Sequence, residues 1–306
     1  MAVQHIKGKR KKDLIFYIVT LAIPVLQFSI FYIGVNFRSI LMMFQEFVDA
    51  ETGFVFLGFD NLFKNFVSVF KELSDGTIFL PVLKNSLVAY FVSLIAGTGL
   101  ALIFSYYIYK KFPLHGMVKV VLFTPSIISG IVLVSIFHQF VDVVIPNVFS
   151  AFGMEIDGLI ANPNTRFGTI LFYCIWIGFG GSILLYVGAM NNISESISEA
   201  CKLDGANLLQ EMIYIVLPLI YPTLVTFLVV GVSGIFTSQL AIFAIYGTGA
   251  SPHIWTFGYY MFKETQGAGY ARYPELATMG IIMTLIVAPL TFLVKWWLEK
   301  IGPSQE

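Results

Sequence analysis

The sequence has little charge. Only 12% of its 306 residues are Asp, Glu, Lys or Arg, whereas a soluble globular domain carries about 25%. Hydrophobic residues make up 57% of the chain, which predicts an all-α membrane protein that crosses the bilayer several times. The formal net charge of +0 argues against a nucleic-acid-binding surface, since such a surface is usually basic.

The sequence also lacks the motifs of common catalytic sites. No Lys is followed by Ser or Thr, so the GxxxxGK[ST] phosphate loop is absent and we expect no ATP hydrolysis by this chain alone. Neither HExxH nor GxSxG occurs, and the two cysteines and four histidines show no metal-ligand spacing. We therefore expect a protein that is not an enzyme, with no metal site and no cofactor bound to this chain.

Six apolar runs are long enough to cross a bilayer, which takes about 20 residues of helix. Lipid offers no hydrogen-bond partner to the backbone, so each run is expected to be helical. No tandem repeat interrupts the pattern, and the whole chain, 1–306, is predicted to be one transmembrane domain. The predicted spans lie at 14–36, 83–109, 118–140, 167–190, 215–240 and 276–298.

The basic residues predict how these spans are oriented. Eleven of the 18 Lys and Arg residues lie at the N-terminus, between spans two and three, between spans four and five, or at the C-terminus. Lys and Arg are enriched in cytoplasmic loops. Both termini are therefore expected in the cytoplasm, together with the polar loop between spans four and five. The expected location is the plasma or inner membrane, in contact with lipid.

Charged residues are scarce inside the predicted spans, where Lys84 and Asp142 lie only at span ends. A charge at the middle of the bilayer costs about 2.5–3.5 kcal/mol on insertion scales, so proton-coupled carriers keep such residues for function. Their scarcity argues against a proton-coupled carrier but leaves sodium coupling open, since backbone carbonyls can bind sodium. A secondary carrier and a non-conducting membrane scaffold remain alternatives to a subunit powered by another protein.

A polar insert, EACKLDGANLLQEMIYIVLP, occupies 199–218 between two apolar runs. Ser196 followed by Glu199 predicts a capping box at the start of a short helix. Gly205 after Asp204 predicts a helix stop in the left-handed conformation. Asn207 with Gln210 is a second cap signal, so the insert is expected to contain two short helices around a glycine turn. An ordinary interfacial loop is the alternative.

The insert resembles the cytoplasmic motif of binding-protein-dependent ABC importer permeases, which reads EAA, three residues, G, nine residues, I-x-L-P. Cys201 stands where the family usually has alanine; it is small, so little effect is expected. The resemblance implies the type I ABC importer permease fold, with 191–214 as the coupling loop and its first helix as the coupling helix. The implied ATPase-coupling residues are Glu199, Ala200, Cys201, Asp204, Gly205, Ala206, Ile215, Leu217 and Pro218.

Three further stretches are similar to the carbohydrate-type permeases, the maltose and glycerol-3-phosphate permease subunits. They are FLGFDNLFKNF at 56–66, LKNSLVAYFVS at 83–93 and FTPSIISGIVLVSIFHQFVD at 123–142. The resemblance implies four partners: a second permease subunit in a heterodimer, two cytoplasmic ATPase subunits that bind ATP and Mg, and an extracytoplasmic solute-binding protein. The implied function is import of a sugar or oligosaccharide.

The predicted substrate pathway lies on spans four and five. Small residues there more often serve helix packing, but the family's substrate contacts fall near Ile177, Gly178, Gly234 and Ser238 when counted from the motif. Ser238 and Gln239 are the hydrogen-bond candidates, and Trp176 is a candidate to stack on a sugar face. The absence of charge around these positions is typical of a pathway for a neutral sugar.

Overall fold

The computed structural model describes residues 2–267 and 269–303, which are mostly helical. The helices are α1 Ala2–Phe28, α2 Val35–Met42, α3 Lys64–Asp75, α4 Phe79–Val92, α5 Thr98–Tyr109, α6 His115–Phe123, α7 Gly130–Gln139, α8 Ile145–Ala151, α9 Arg166–Asn191, α10 Glu195–Leu203, α11 Leu208–Glu211, α12 Leu217–Leu219, α13 Tyr221–Thr237, α14 Ile242–Tyr246, α15 Phe257–Gly267 and α16 Tyr273–Ile301. Two short strands are β1 Gln45–Phe47 and β2 Phe54–Phe56.

Six segments of the described chain are long and apolar enough to cross a membrane, which confirms the predicted fold class. They are Phe16–Met42, Phe79–Tyr109, Gly130–Ala151, Arg166–Asn191, Tyr221–Tyr246 and Tyr270–Ile301. The first three each continue through a π-helical turn, at Ser29–Gly34, Ser93–Gly97 and Phe140–Val144. Such turns are common at functional sites in helices and locally change the helix direction.

The third span, Gly130–Ala151, lies later in the chain than the predicted 118–140. Helix α6 ends at Phe123, and a 3-10 turn follows over Thr124–Ser126. Pro125 has no backbone N–H and cannot continue an α-helical ladder. The apolar run therefore divides at this proline, and its second half joins the apolar residues after it to form the span.

The described residues group into two compact units, the first made of Met1–Lys71 and Ala268–Ile282. Within the first unit, β1 and β2 pair antiparallel, with Glu46 opposite Val55. The Asp49 carboxylate accepts hydrogen bonds from the backbone N–H groups of Glu51 and Thr52 in the connecting turn. These bonds hold the hairpin turn and lower the pKa of Asp49, chiefly through the bonds from Thr52.

The second unit comprises Glu72–Gly267 and Met283–Glu306. Its core lies where α5 packs along α9, with Val216 and Ile220 from the next segment completing a cluster of buried apolar side chains. Small residues let membrane helices approach closely. At Gly180 on α9, a Cβ atom would collide with the backbone carbonyl of Leu122, so this glycine sets how near α6 approaches α9.

Candidate functional site

Helix α10 begins two residues earlier than its predicted cap at Ser196 indicated. Its N-cap is Ser194, whose side chain makes no capping hydrogen bond. The capping box predicted from Ser196 and Glu199 is therefore wrong, because the helix already includes Ser196. The Ser194 and Ser196 hydroxyl groups instead lie 2.7 Å apart and share a hydrogen bond.

The glycine turn after α10 confirms the predicted helix stop. Gly205 has φ +76°, a left-handed conformation that glycine adopts without steric cost. Its N–H donates to the Lys202 carbonyl at 3.2 Å, and the Ala206 N–H donates to the Cys201 carbonyl at 3.0 Å. This pair of bonds is the Schellman arrangement, which satisfies carbonyls that would be unpaired at the end of the helix.

The second predicted cap is also confirmed. The Asn207 side chain accepts hydrogen bonds from the backbone N–H groups of Leu209 and Gln210. The Gln210 side chain accepts in return from the Asn207 N–H at 2.8 Å. These reciprocal bonds form a complete capping box, so local side-chain chemistry fixes both the end of α10 and the start of α11.

The predicted coupling loop, 191–214, has an exposed tip. Glu199, Ala200, Asp204 and Gly205 are exposed, and the Leu203 side chain between them is 89% exposed. The Leu203 side chain therefore packs little against this chain, and the tip is the part of the loop that faces away from the helices.

The other motif residues lie beneath or beyond this tip. Cys201 is buried, on the opposite side of α10 from the exposed tip, so the departure from alanine falls on the packed face. Ala206, Ile215, Leu217 and Pro218 are half-buried. The sequence-predicted coupling residues thus divide between an exposed tip and a packed base.

A buried ion pair lies under α10. Lys110 Nζ donates to Glu211 Oε1 at 2.7 Å and to Ser198 Oγ at 2.9 Å. Ser198 Oγ donates to the same Glu211 oxygen at 2.8 Å. The Lys110 and Glu211 side chains are only 10% and 5% exposed. The pair therefore joins the residue after α5 to both short helices of the coupling loop.

Aromatic side chains enclose this ion pair. The Tyr106 hydroxyl lies 3.1 Å from Glu211 Oε2 and 3.0 Å from the Leu208 carbonyl. The Lys110 ammonium lies 5.9 Å from the ring centroid of Tyr106 and 5.8 Å from that of Tyr109, within the range of cation–π attraction. We call Tyr106, Lys110, Ser198 and Glu211 the ion-pair cluster.

The ion-pair cluster keeps Glu211 ionised. Burial raises the pKa of its carboxyl group, but hydrogen bonds from Lys110, Ser198 and Tyr106 and the Lys110 charge outweigh that effect. The pKa of Glu211 therefore lies below its ordinary value. Sequence reasoning missed this cluster, because Lys110 and Glu211 are 101 positions apart and neither belongs to the motif.

A cavity of about 310 Å³ lies in the second unit, between α4, α5, α9 and α13. None of its described lining residues carries a charge, and most of the polar ones are hydroxyl side chains. The lining residues are Ser86, Ala89, Tyr90, Ser93, Leu94, Gly97, Thr98, Cys174, Ile175, Gly178, Phe179, Ser182, Tyr186, Phe227, Gly231, Gly234, Ile235, Ser238, Leu240 and Thr256.

The cavity combines hydroxyl groups with aromatic rings. Among the described residues, the Tyr90, Ser93 and Ser182 hydroxyls find no hydrogen-bond partner, which leaves them available to a ligand. Tyr186 and Phe227 pack edge to face, with ring centroids 5.2 Å apart. Such a lining suits a ligand that has both hydroxyl groups and apolar faces.

The structure brings some of the predicted pathway residues together and not others. Gly178, Gly234 and Ser238 line the cavity. Ile177 and Gln239 line a neighbouring pocket, which Gly178 and Ser238 also border. Trp176 lines neither pocket, because its ring packs against those of Phe137 and Tyr173 at centroid distances of 6.3 Å.

The segment 250–260, which we call the roof segment, closes one end of the cavity through Thr256. Residues 254–260 are all buried. The Asn85 amide donates to the carbonyls of His253 and Trp255 at 2.9 and 3.0 Å. Ser86 Oγ accepts a hydrogen bond from the Phe257 N–H at 2.8 Å. The middle of α4 therefore holds the roof segment in place.

The roof segment also approaches α13 very closely. Thr256 Oγ1 donates to the Ser238 carbonyl at 2.8 Å. At Gly258, a Cβ atom would lie 2.5 Å from the Thr237 carbonyl oxygen and 2.6 Å from that of Ser238. Only glycine leaves room for this contact, so the roof segment fits the end of α13 without spare volume.

Curated relatives are sugar-transport permeases. The arabinooligosaccharides transport system permease protein AraP of Bacillus subtilis is 23% identical over 269 residues, covering 86% of this chain and 82% of AraP. The multiple sugar-binding transport system permease protein MsmF of Streptococcus mutans is 23% identical over 279 residues, covering 89% of this chain and 91% of MsmF.

Two crystal structures share the fold. A bacterial ABC transporter involved in import of the acidic polysaccharide alginate superposes with a TM-score of 0.79 and 21% identity, covering 98% of this chain and 100% of that chain. An alginate ABC transporter in complex with an alginate pentasaccharide-bound periplasmic protein gives a TM-score of 0.76 and 21% identity, covering 94% of each chain.

The family itself is established by a sequence match over most of the chain. Residues 89–306 match the profile described as binding-protein-dependent transport system inner membrane component. This range contains the predicted coupling loop, all of the cavity's lining residues except Ser86, four of the six spans in full and most of the second span. The protein therefore belongs to the family of binding-protein-dependent transport system inner membrane components, and is a multi-pass transporter permease subunit.

Proposed function

We propose that this chain is a permease subunit of an ATP-driven importer that carries a sugar or oligosaccharide across the membrane. The uncharged cavity lined by hydroxyls and aromatic rings carries this proposal. Sugars present hydroxyl groups at their edges and C–H groups on their faces, which matches such a lining. The similarity to AraP and MsmF, which are named as permeases for arabinooligosaccharides and multiple sugars, supports the same substrate class.

The cavity favours a neutral sugar over an acidic one. A carboxylated saccharide would need a cation or a helix N-terminus close to each carboxylate, since an unpaired buried charge is strongly unfavourable. No such cation is among the described lining residues. The substrate proposed here therefore differs in charge from the acidic alginate named for the structural neighbours.

The coupling loop is the proposed contact with one of the two ATPase subunits, which bind ATP and Mg. Its exposed tip, with Glu199, Ala200 and Leu203, would enter a groove of an ATPase. Asp204, Gly205 and Ala206 form the turn that presents the tip, and Cys201 packs its base. Ile215, Leu217 and Pro218 lead the chain back into α12 and α13. We propose that both termini and the coupling loop lie in the cytoplasm, which the excess of Lys and Arg on that side supports.

The outer partners in this proposal are an extracytoplasmic solute-binding protein and a second permease subunit. The complex of the alginate transporter with its periplasmic protein supports the first of these. A second permease subunit would cover the apolar residues Leu80 and Phe91 on α4, which are exposed in the single chain. We propose a heterodimer, in which the two subunits share the pathway.

The test is reconstitution of the complex in vesicles, with uptake of labelled neutral oligosaccharides measured with and without ATP and the binding protein. We expect uptake only with both present. Uptake without any ATPase would support a secondary carrier instead, and ATPase association without uptake would support a scaffold.

A variant of the coupling loop makes the test specific. Glu199→Lys with Gly205→Pro should abolish uptake and ATPase association, because it reverses the tip charge and prevents the left-handed turn. The matched control is Glu155→Lys, a charge reversal at an exposed residue after α8, which should leave uptake unchanged. Wild-type uptake by the double variant would contradict the coupling role of the loop.

A further inference from the structure

Helix α10 has few apolar attachments to the rest of the chain. Cys201 is its only buried residue among Glu195–Leu203. Short links connect it on each side: residues 192–194 join it to α9, and residues 204–207, including Gly205 in its left-handed turn, join it to α11. Without another attachment, both links would act as hinges and α10 would tilt freely.

The ion-pair cluster supplies that attachment. Ser198 and Cys201, three positions apart on α10, share its packed face, while Glu199 and Ala200 lie on the exposed side. Lys110 and Glu211 meet Ser198 on the packed face, and all three polar groups are within 2.9 Å of one another. The cluster therefore holds α10 from behind while its tip stays free for a partner.

We propose that Lys110 and Glu211 are positioning residues that fasten α10 and α11 to the end of the second span, Phe79–Tyr109, so that these parts move as one rigid body. The proposal rests on the proposed coupling role of the loop and deepens it. Force applied at the α10 tip would then pass through Ser198, Glu211 and Lys110 into the second span, whose π-turn residues Ser93 and Gly97 line the cavity.

Burial makes the ion pair suited to this task. Water competes for exposed ion pairs, which open and close at little cost. A buried pair whose partners are satisfied resists separation, because opening it leaves a charge without a partner in a dry site. Glu211 Oε1 accepts from both Lys110 and Ser198, and Oε2 lies beside the Tyr106 hydroxyl. Each carboxylate oxygen therefore has a partner in the fastened arrangement.

The first experiment measures the distance between spin labels in the full chain. Labels are placed at Lys202 on α10 and Lys111 after α5, both exposed, in a Cys174→Ser, Cys201→Ala background. We expect one narrow distance peak, unchanged when the assembled transporter binds ATP. Glu211→Gln should broaden it, and Glu155→Gln should not. A wild-type shift of roughly 5 Å between the two states, the size of a one-turn helix shift, would overturn the proposal.

The second experiment measures ATP hydrolysed per sugar transported. A defect that only lowered folding would reduce transport and hydrolysis together, leaving this ratio unchanged. We expect Glu211→Gln to raise the ratio at least about fivefold, the lower end of typical coupling between sites. Lys110→Glu with Glu211→Lys should bring it back toward the wild-type value. An unchanged ratio in Glu211→Gln would overturn the proposal.

The two experiments separate this inference from the proposed function. If the wild-type transporter shows no ATP-driven uptake, the proposed function fails. The label distances in the full chain without ATPase still decide whether α10 is fastened to the second span. A narrow wild-type peak that broadens in Glu211→Gln would then uphold the rigid body, and equally broad peaks in both would refute it.

Discussion

The second span, Phe79–Tyr109, is held at its two ends by different chemistry. Near its start, Asn85 and Ser86 hold the roof segment by hydrogen bonds between neutral groups. Just after its end, Lys110 and Glu211 form a buried ion pair with the coupling loop. The residues that carry these attachments are separated by 25 positions of mostly helical chain, about 37 Å at 1.5 Å per residue.

The difference indicates which end is built to open. A hydrogen bond between neutral groups contributes about 0.5–1.5 kcal/mol to stability, because folding only exchanges bonds to water for bonds within the protein. Removing one partner of a buried ion pair costs about 3–5 kcal/mol, because the other charge stays buried without a partner. We therefore expect the roof segment to separate from the span more readily than the coupling loop does. An importer needs one end that opens and one that transmits force.

The largest expected effect comes from breaking the ion pair on one side. Lys110→Met should lower the free energy of unfolding by about 3–5 kcal/mol, since it leaves Glu211 buried without its cation. The measurement is thermal or denaturant unfolding in detergent. Lys111→Met, at the exposed neighbouring lysine, is the control and should change stability by less than about 0.5 kcal/mol.

A double substitution sharpens that result. Lys110→Met with Glu211→Leu removes both charges, and replacing a buried pair by apolar residues is often neutral. We expect it to recover most of the stability lost in Lys110→Met while remaining uncoupled. Equal instability of the single and double variants would show that the ion pair is not the source of the effect.

At the other end, overpacking should have a smaller effect. Gly258→Ala puts a Cβ atom against the Thr237 and Ser238 carbonyls, and overpacking of this kind costs about 1–3 kcal/mol. Gly267→Ala, on the same helix α15 with no atom within 4 Å of the added Cβ, should be neutral or slightly stabilising. The measurement is the unfolding midpoint of each variant. Equal midpoints for Gly258→Ala and Gly267→Ala would contradict the close contact between Gly258 and the end of α13.

Local chemistry explains what the sequence could predict. The six spans follow from apolar runs, because lipid leaves the backbone no alternative to helix. The Gly205 stop and the Asn207 cap follow from side chains that bond their own neighbours. The boundary of the third span was harder to predict. Pro125 breaks the helix there, but the sequence is apolar on both sides of this proline, so the apolar run alone does not show the break.

Long-range contacts explain what it could not. SESISEA offers a serine at every second position, and the observed register is the one that directs Ser198 toward Glu211. The Lys110–Glu211 pair and the Asn85–Trp255 bond join residues 101 and 170 positions apart. Two residues at such separations meet only through the packing of the spans, and no local pattern marks them.

A still smaller effect is expected from the hydrogen bonds between Asn85 and the roof segment. Asn85→Ala removes two hydrogen bonds to carbonyls at a partly exposed site where water can replace them, so the expected loss of stability is about 1 kcal/mol. The sharper measurement is hydrogen exchange. Amides at 254–260 should exchange faster in the variant, while those of α10 and α11 should not. The control is Asn192→Ala, at an exposed residue. Faster exchange in Asn85→Ala at both 254–260 and α10–α11 would show that the two ends of the span are not attached independently.

The smallest effect is a dependence on pH, which should be confined to the coupling-loop end. The pKa of Glu211 is lowered in the folded chain from its ordinary value of 4.5, so ionised Glu211 stabilises the fold above that value. This stabilisation is lost as the pH falls from 4.5 through the lower folded pKa, because the unfolded chain then binds the proton more tightly. The unfolding midpoint of the wild type should therefore fall toward that of Glu211→Gln between neutral and acidic pH. Asn85→Ala should keep a constant offset from the wild type over the same range, because no titrating group takes part in its hydrogen bonds. If the Glu211→Gln offset also stayed constant, the carboxylate would not be stabilised by Lys110, and the contrast between an ionic and a neutral end of the span would be lost.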